Sequence, residues 1–170
     1  DVFLDRLLTK CSEHLSLLAA PSLLDRAYDF DRTAFQPIIE ILQRTAPVSV
    51  LDVPHAWNEW TRALLADVDD IVLVATPDLA NLRNAKNLFD QLRKLRPNDR
   101  GAHLVLNGVG MPKRPEIPPT DFCQTLETEP LALIPFDIQL FGQAANSGRM
   151  IAEMDAKSPI AEIMSQIAHV

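Results

Sequence analysis

Short apolar runs alternate along this chain with longer stretches in which apolar residues recur at three- and four-residue steps. The short runs are Leu15-Ser16-Leu17-Leu18-Ala19-Ala20, stopped by Pro21, then Val48-Ser49-Val50-Leu51, Ile71-Val72-Leu73-Val74-Ala75, His103-Leu104-Val105-Leu106 and Leu131-Ala132-Leu133-Ile134, closed by Pro135. Each has strand length and composition. The run at 71–75 is almost entirely apolar, as a strand covered on both faces requires.

The longer stretches predict helices. Asp31 can cap one over 32–45, with Phe35, Ile38, Ile39, Ile41 and Leu42 as its apolar face. Pro37 either marks the first turn of that helix or kinks it. Residues 57–66 also read as helical, with Trp57 and Trp60 three apart for packing or, as the alternative, for a partner. The clearest helix spans 79–95 after Thr76-Pro77-Asp78, with Leu79, Leu82, Leu88, Leu92 and Leu95 in step. A Pro-rich loop runs from Gly108 to Pro119, followed by a short helix at 120–127, a helix at 138–146 capped by Asp137, and a last one from Ser158-Pro159 to about 168. Five strands alternating with helices predict an α/β domain with a mainly parallel sheet flanked by helices. Ligands in such sheets bind beyond the carboxyl ends of the strands. Chemistry is therefore expected at Asp52, Pro54 and His55, at Thr76, Pro77 and Asp78, at Asn107, and at Pro135 and Asp137.

Composition narrows the classes. A chain of 170 residues with 47% apolar and 23% charged residues has one domain's length and a core's worth of aliphatic side chains. The net charge of −7 argues against nucleic acid as a partner, which calls for a basic stripe. The clusters Arg93-Lys94-Arg96 and Lys113-Arg114 are small, and the first falls where cations complement a helix end. Cys11 and Cys123 lack paired spacing and read as free thiols, as in a cytoplasmic protein. No apolar run approaches the ~20 residues of a membrane span. The last helix has Ile160, Ile163, Met164 and Ile167 on one face and no cation on the other, so it reads as core-packing and not as a membrane anchor. The four histidines show no metal-ligand spacing, and no GxSxG nucleophile motif occurs.

Taken singly, the edge residues are ambiguous. Asp52 could support magnesium, which prefers hard oxygens, or could be a cap or solvated acid. Asn107 offers the donor and acceptor that an adenine edge needs, yet Asn107-Gly108 is also an ordinary turn. Ile134-Pro135-Phe136-Asp137 reads as a strand stop and a helix cap.

The combination is more specific. VLDVP, VLVATPDLANLRNAKNL, VLNGV and ALIPFD, in this order and spacing, resemble the later part of the MinD/ParA (deviant Walker A) ATPases, a phosphate-loop NTPase fold. LRKLRPND, PKRPEIP, FDIQLFGQAANSGRMIAE and DAKSPIAEI resemble the CpaE/TadZ branch of pilus-assembly proteins. The resemblance implies that residues 1–170 are the C-terminal two-thirds of such a domain. It places Asp52 at the Walker-B acid, catalytic and beside Mg2+, and Pro54 and His55 in the second switch. It places Asn107, Pro135, Phe136 and Asp137 around the adenine of ATP. The family's glycine after aspartate-x-proline is absent from Asp52-Val53-Pro54-His55-Ala56-Trp57, which speaks against efficient hydrolysis.

No GKS, GKT or KGG is present, so the phosphate loop and its two strands are expected before Asp1. These 170 residues are then expected to bind no cofactor and hydrolyse nothing alone, and to carry unpaired strand edges. For the whole protein, the resemblance implies an ATP-binding, dimeric factor for localising or assembling a type IVb (Flp/Tad) pilus secretion system, in the cytoplasm near a cell pole, with pilus machinery proteins as partners. The alternatives are an active ParA/MinD-type positioning ATPase and a non-nucleotide interaction domain on a degenerate ATPase fold.

Overall fold

The computed structural model describes residues 6–20, 32–99 and 101–169. They form two compact units, 1–64 and 65–170, divided within a helix. In the first unit, β1 (Thr9–Lys10) and β2 (Ser16–Leu17) make a two-rung antiparallel ladder, and α1 (Arg32–Thr45) and α2 (Glu59–Asp67) follow. Pro37 lies inside α1, so the first-turn alternative does not hold. Asp31, its expected cap, and Pro21 lie outside the described residues. Trp60 stacks on Phe35 at 4.9 Å between ring centres, while Trp57 is exposed.

Two expected strands fail here. The run at 15–20 pairs over only two residues. Val48-Ser49-Val50-Leu51 forms no strand at all, and Val48 and Val50 are 78% and 91% exposed. An apolar run needs a neighbouring backbone to complete its hydrogen bonds, and among the described residues none pairs with this one.

The second unit holds the parallel sheet. Its strands are β3 (Val72–Ala75), β4 (His103–Val109) and β5 (Pro130–Pro135), ordered β3-β4-β5, with α3 (Leu79–Leu95) and α4 (Pro119–Leu126) as the crossovers. The chain closes with α5 (Ile138–Ser147), a single turn α6 (Ile151–Met154) not foreseen from the pattern, and α7 (Pro159–Ile167).

Side-chain alternation along β4 builds both cores. Leu104 and Leu106 face Ala85, Phe89 and Leu92 of α3 and Phe122 and Leu126 of α4. Val105 faces the other way, with Ala132, Ile134 and Ile160. Ile163, Met164 and Ile167 pack against that second cluster, so the last helix is a core element. Among the described residues, no helix is long and apolar enough to cross a membrane.

Two details depart from the pattern. On α3 the deepest residues are Ala85, Phe89 and Leu92, and Leu79 is 73% exposed. On β3 Val72 and Val74 are 44% and 57% exposed, so the face of the sheet covered by α7 beneath β4 and β5 lies open at β3.

Cations close the helix ends as their position suggests. Arg93 at the end of α3 donates to the Leu126 carbonyl at 2.8 Å. Arg96 donates to the carbonyls of Leu65 and Asp69 at 3.2 and 2.9 Å and pairs with Asp99. Both cysteines are free, Cys123 buried and Cys11 exposed.

Phe122 is fully buried at the junction of α3, α4 and β4. Phe122→Ala removes a large core side chain and leaves a cavity, so it should destabilise the protein by about 3–5 kcal/mol. Urea denaturation followed by circular dichroism measures this, and a loss under about 1 kcal/mol would contradict the packing described.

Candidate functional site

All three parallel strands end at one edge, where a cavity of about 390 Å3 opens. Its polar wall holds Thr76 after β3, Asn107 and Gly108 on β4, and Arg114 from the following loop. Met111, Pro135, Phe136, Ile138 and Phe141 supply the apolar walls, and Asp137 and Gly142 complete it.

Local chemistry shapes each part. Gly108 has a φ of +70°, and the register between β4 and β5 shifts between Asn107 and Val109. The Asn107-Gly108 pair is thus a bulge inside a strand, not the turn it resembles in sequence. Asn107 stands opposite Ile134, and the ladder resumes with Val109 opposite Pro135 and the Phe136 N–H donating to the Val109 carbonyl at 2.8 Å. Strand β4 therefore runs to Val109, past the expected start of the loop at Gly108.

The loop after β4 is folded by one carboxylate. Glu116 Oε1 accepts from the N–H groups of Gly110 and Met111 at 2.9 and 3.1 Å. The Ile117 N–H donates to the Pro77 carbonyl at 2.9 Å, fastening the loop to the corner between β3 and α3. This return path carries Arg114 back to the cavity.

At that corner Asp78 caps α3. It accepts from the Asn81 N–H at 2.9 Å and from the Thr76 hydroxyl at 2.7 Å, and the Asn81 amide reaches both. These bonds lower the Asp78 pKa from 3.8 to about 2: the Asn81 backbone N–H contributes most, then the Thr76 hydroxyl and the Asn81 amide, with the Arg114 charge a smaller cause, against the opposing effect of burial. Asp137 caps α5 in the same fashion, its Oδ1 accepting from Gln139 and Leu140 N–H at 3.0 and 2.9 Å.

The cavity thus gathers Asn107, Pro135, Phe136 and Asp137, all named from sequence. Asp52, Pro54 and His55 belong to the first unit, in an exposed stretch without a strand. Sequence reasoning missed Arg114, Met111, Phe141 and Gly142. The available signal was position: Arg114 lies in the loop leaving the same strand edge, yet beside Lys113 it read as half of a basic pair.

What the cavity can do follows from its walls. Its volume lies in the range of small-molecule sites, and a mainly apolar lining with a few polar groups suits a planar ring fixed by directional bonds. Among the described residues, no group of three or more His, Cys, Asp or Glu could hold a metal ion. A magnesium held by one carboxylate and phosphate oxygens needs no such cluster. The single exposed acid Asp52 does not form a metal centre by itself.

These features define an α/β protein with a ligand-sized cavity at the carboxyl edge of a parallel sheet, and the fold is that of the ParA- and MinD-like phosphate-loop NTPases. It superposes on the crystal structure of a ParA family ATPase from Chlorobium tepidum TLS with a TM-score of 0.85 and 19% identity, over 99% of this chain and 70% of that one. The cell division ATPase MinD of Pyrococcus furiosus gives a TM-score of 0.67 and 21% identity, over 82% of this chain and 57% of that one. By sequence, the chain matches no protein-family model and no curated protein.

Asp78→Ala removes the cap of α3 and should cost about 1–2 kcal/mol at neutral pH. The carboxylate's depressed pKa gives the pH dependence: its contribution is complete above the unfolded value of 3.8 and is lost as pH falls towards about 2. The stability gap between wild type and variant should therefore narrow between pH 5 and pH 3, and urea midpoints at the two pH values should converge (roughly a twofold smaller gap). A gap that stays constant or widens would contradict the role given to the carboxylate.

Proposed function

We propose that this chain is the base-binding part of an ATPase-like localisation or assembly factor, of the kind that serves type IVb (Flp/Tad) pilus secretion systems. One observation carries the nucleotide part of this reading: Asn107, Pro135, Phe136 and Asp137 line a single cavity at the strand edge of a ParA/MinD-like fold. Asn107 then pairs with the adenine edge, and Pro135 and Phe136 flank the ring. The pilus assignment is supported by the stretches that resemble the CpaE/TadZ branch, among them FDIQLFGQAANSGRMIAE.

In the same proposal Asp52 is the acid that supports Mg2+ in the nucleotide-bound protein, and Pro54 and His55 belong to the segment that responds to the phosphate. Pilus machinery proteins and a second copy are the expected partners. The glycines and lysines of a phosphate loop are not among these 170 residues, so the reading assigns them base recognition and no hydrolysis.

Ligand-observed NMR with ATP and adenosine tests the reading. Saturation transfer from the whole protein should reach the adenine protons. Asn107→Ala leaves the base without its hydrogen-bond partner and should weaken binding by roughly tenfold, or about 1.4 kcal/mol. Absence of transfer to the base in wild type, or an unchanged affinity in the variant, sinks the proposal.

A further inference from the structure

We propose that Gly142 sets the clearance of this cavity, and that the base lies directly on the bare backbone of α5 at that point. The inference rests on the nucleotide reading above and deepens it, by naming the wall that fixes how bulky a ligand fits.

The chain has five glycines, and four of them have a conformational reason. Gly101, Gly108, Gly110 and Gly148 have φ between +62° and +85°, a region that side chains disfavour. Gly142 is not among them. It stands in the interior of α5 (Ile138–Ser147), where glycine is the least favourable residue after proline.

Packing within the chain gives no reason either. Among the described residues, a Cβ added at Gly142 would meet no heavy atom within 4 Å beyond its own stretch of helix and its chain neighbours. No neighbouring element comes close enough there to exclude a methyl group.

What lies against Gly142 is the cavity. Its wall includes Gly142 together with Ile138 and Phe141, four residues and one residue before it. Residues four apart share a helix face, so that face of α5 is turned to the cavity. Lacking a side chain, Gly142 meets the cavity with main-chain atoms alone. A Cβ there would project from this face and tilt back towards Ile138. Ile138 is itself 69% exposed, a large apolar side chain left uncovered at the same wall. A glycine that weakens its helix, is crowded by no neighbour and borders a cavity has the pattern of one that lets a ligand approach the backbone closely. Phe136 and Phe141 beside it suit a flat ring, and a stretch of helix without a side chain is a matching surface.

The test sets stability against binding in the whole protein, using Gly142→Ala and Gly142→Leu. Thermal melts without ligand should show Gly142→Ala raising the Tm by about 2–4 °C, since alanine favours the helix. Calorimetric titration with ATP and with adenosine should show binding weakened about tenfold in Gly142→Ala and about a hundredfold in Gly142→Leu. The loss should be equal for the two ligands, because the clash is with the base that both carry. Wild-type affinity of Gly142→Ala for both ligands, or a loss confined to ATP, overturns the inference and leaves the nucleotide reading standing. So does a Gly142→Ala protein less stable than wild type, because the fold itself then requires the glycine. Gly142→Ala decides alone if Gly142→Leu fails to fold. Wild type that binds neither ligand sinks the nucleotide reading, and this inference with it.

Discussion

The burial of Leu104, Val105 and Leu106 in β4 is the constraint on which the second unit depends. Leu104, Val105 and Leu106 are each 1% exposed or less, and the strand is paired on both sides. A strand in that position must be apolar on both faces, because no water reaches either. Its alternation then divides the unit into two cores, one under α3 and α4 and the other under α7. It also fixes the level at which the strands end. Asn107 is the first residue beyond the buried triplet, and the ladder sets Ile134 opposite it. The polar group at the cavity is thus positioned by hydrophobic packing one residue away.

The departure from regular pairing just past that point gives the site its form. A continuous ladder would carry β4 and β5 past each other without interruption. The bulge at Gly108 shifts the register instead, which is possible because glycine adopts the positive φ at little cost. Beyond it the chain needs a sharp return to reach α4, and Glu116 holds that return by accepting two backbone N–H groups. The cavity is therefore assembled from a strand, a pinned loop and the start of a helix. Each part is held by hydrogen bonds within the chain.

Much of this was legible from local pattern, because the information was local. Asp137 read as a cap and acts as one, and Asp78 and Ser158, read as helix starts, cap their helices, since capping depends on a side chain and the N–H groups two or three residues on. The run Leu79 to Leu95 read as a helix and is one over the same residues. Failures came where a distant partner decides. Val48-Ser49-Val50-Leu51 has a strand's composition, but a strand exists only beside another backbone, and the run lies exposed. Asn107-Gly108 read as a turn, and Val109 continued the ladder because Phe136 was there to bond it. Arg114 gave no local sign of facing a cavity. Its placement follows from the left-handed backbone at Lys113, where φ is +63°, and from the Glu116 clasp, neither of which a run of two basic residues reveals.

The cavity is built wholly within residues 76–142, whereas Asp52, Pro54 and His55 lie in the other unit. That division has a physical consequence for any nucleotide it takes. Recognition of a base needs a flat apolar slot and a few directed hydrogen bonds, and the parallel sheet supplies these from its own edge. Holding phosphates needs clustered N–H groups and cations, which the cavity lacks apart from Arg114, already 3.7 Å from Glu116. The two tasks are thus physically separable, because they draw on different kinds of residue and different elements. In a protein that uses both, a base slot of this kind can be kept while the phosphate chemistry changes or disappears. Selection on the two sets of residues could then act independently, with the bulge at Gly108 and the clasp at Glu116 maintaining one whatever becomes of the other.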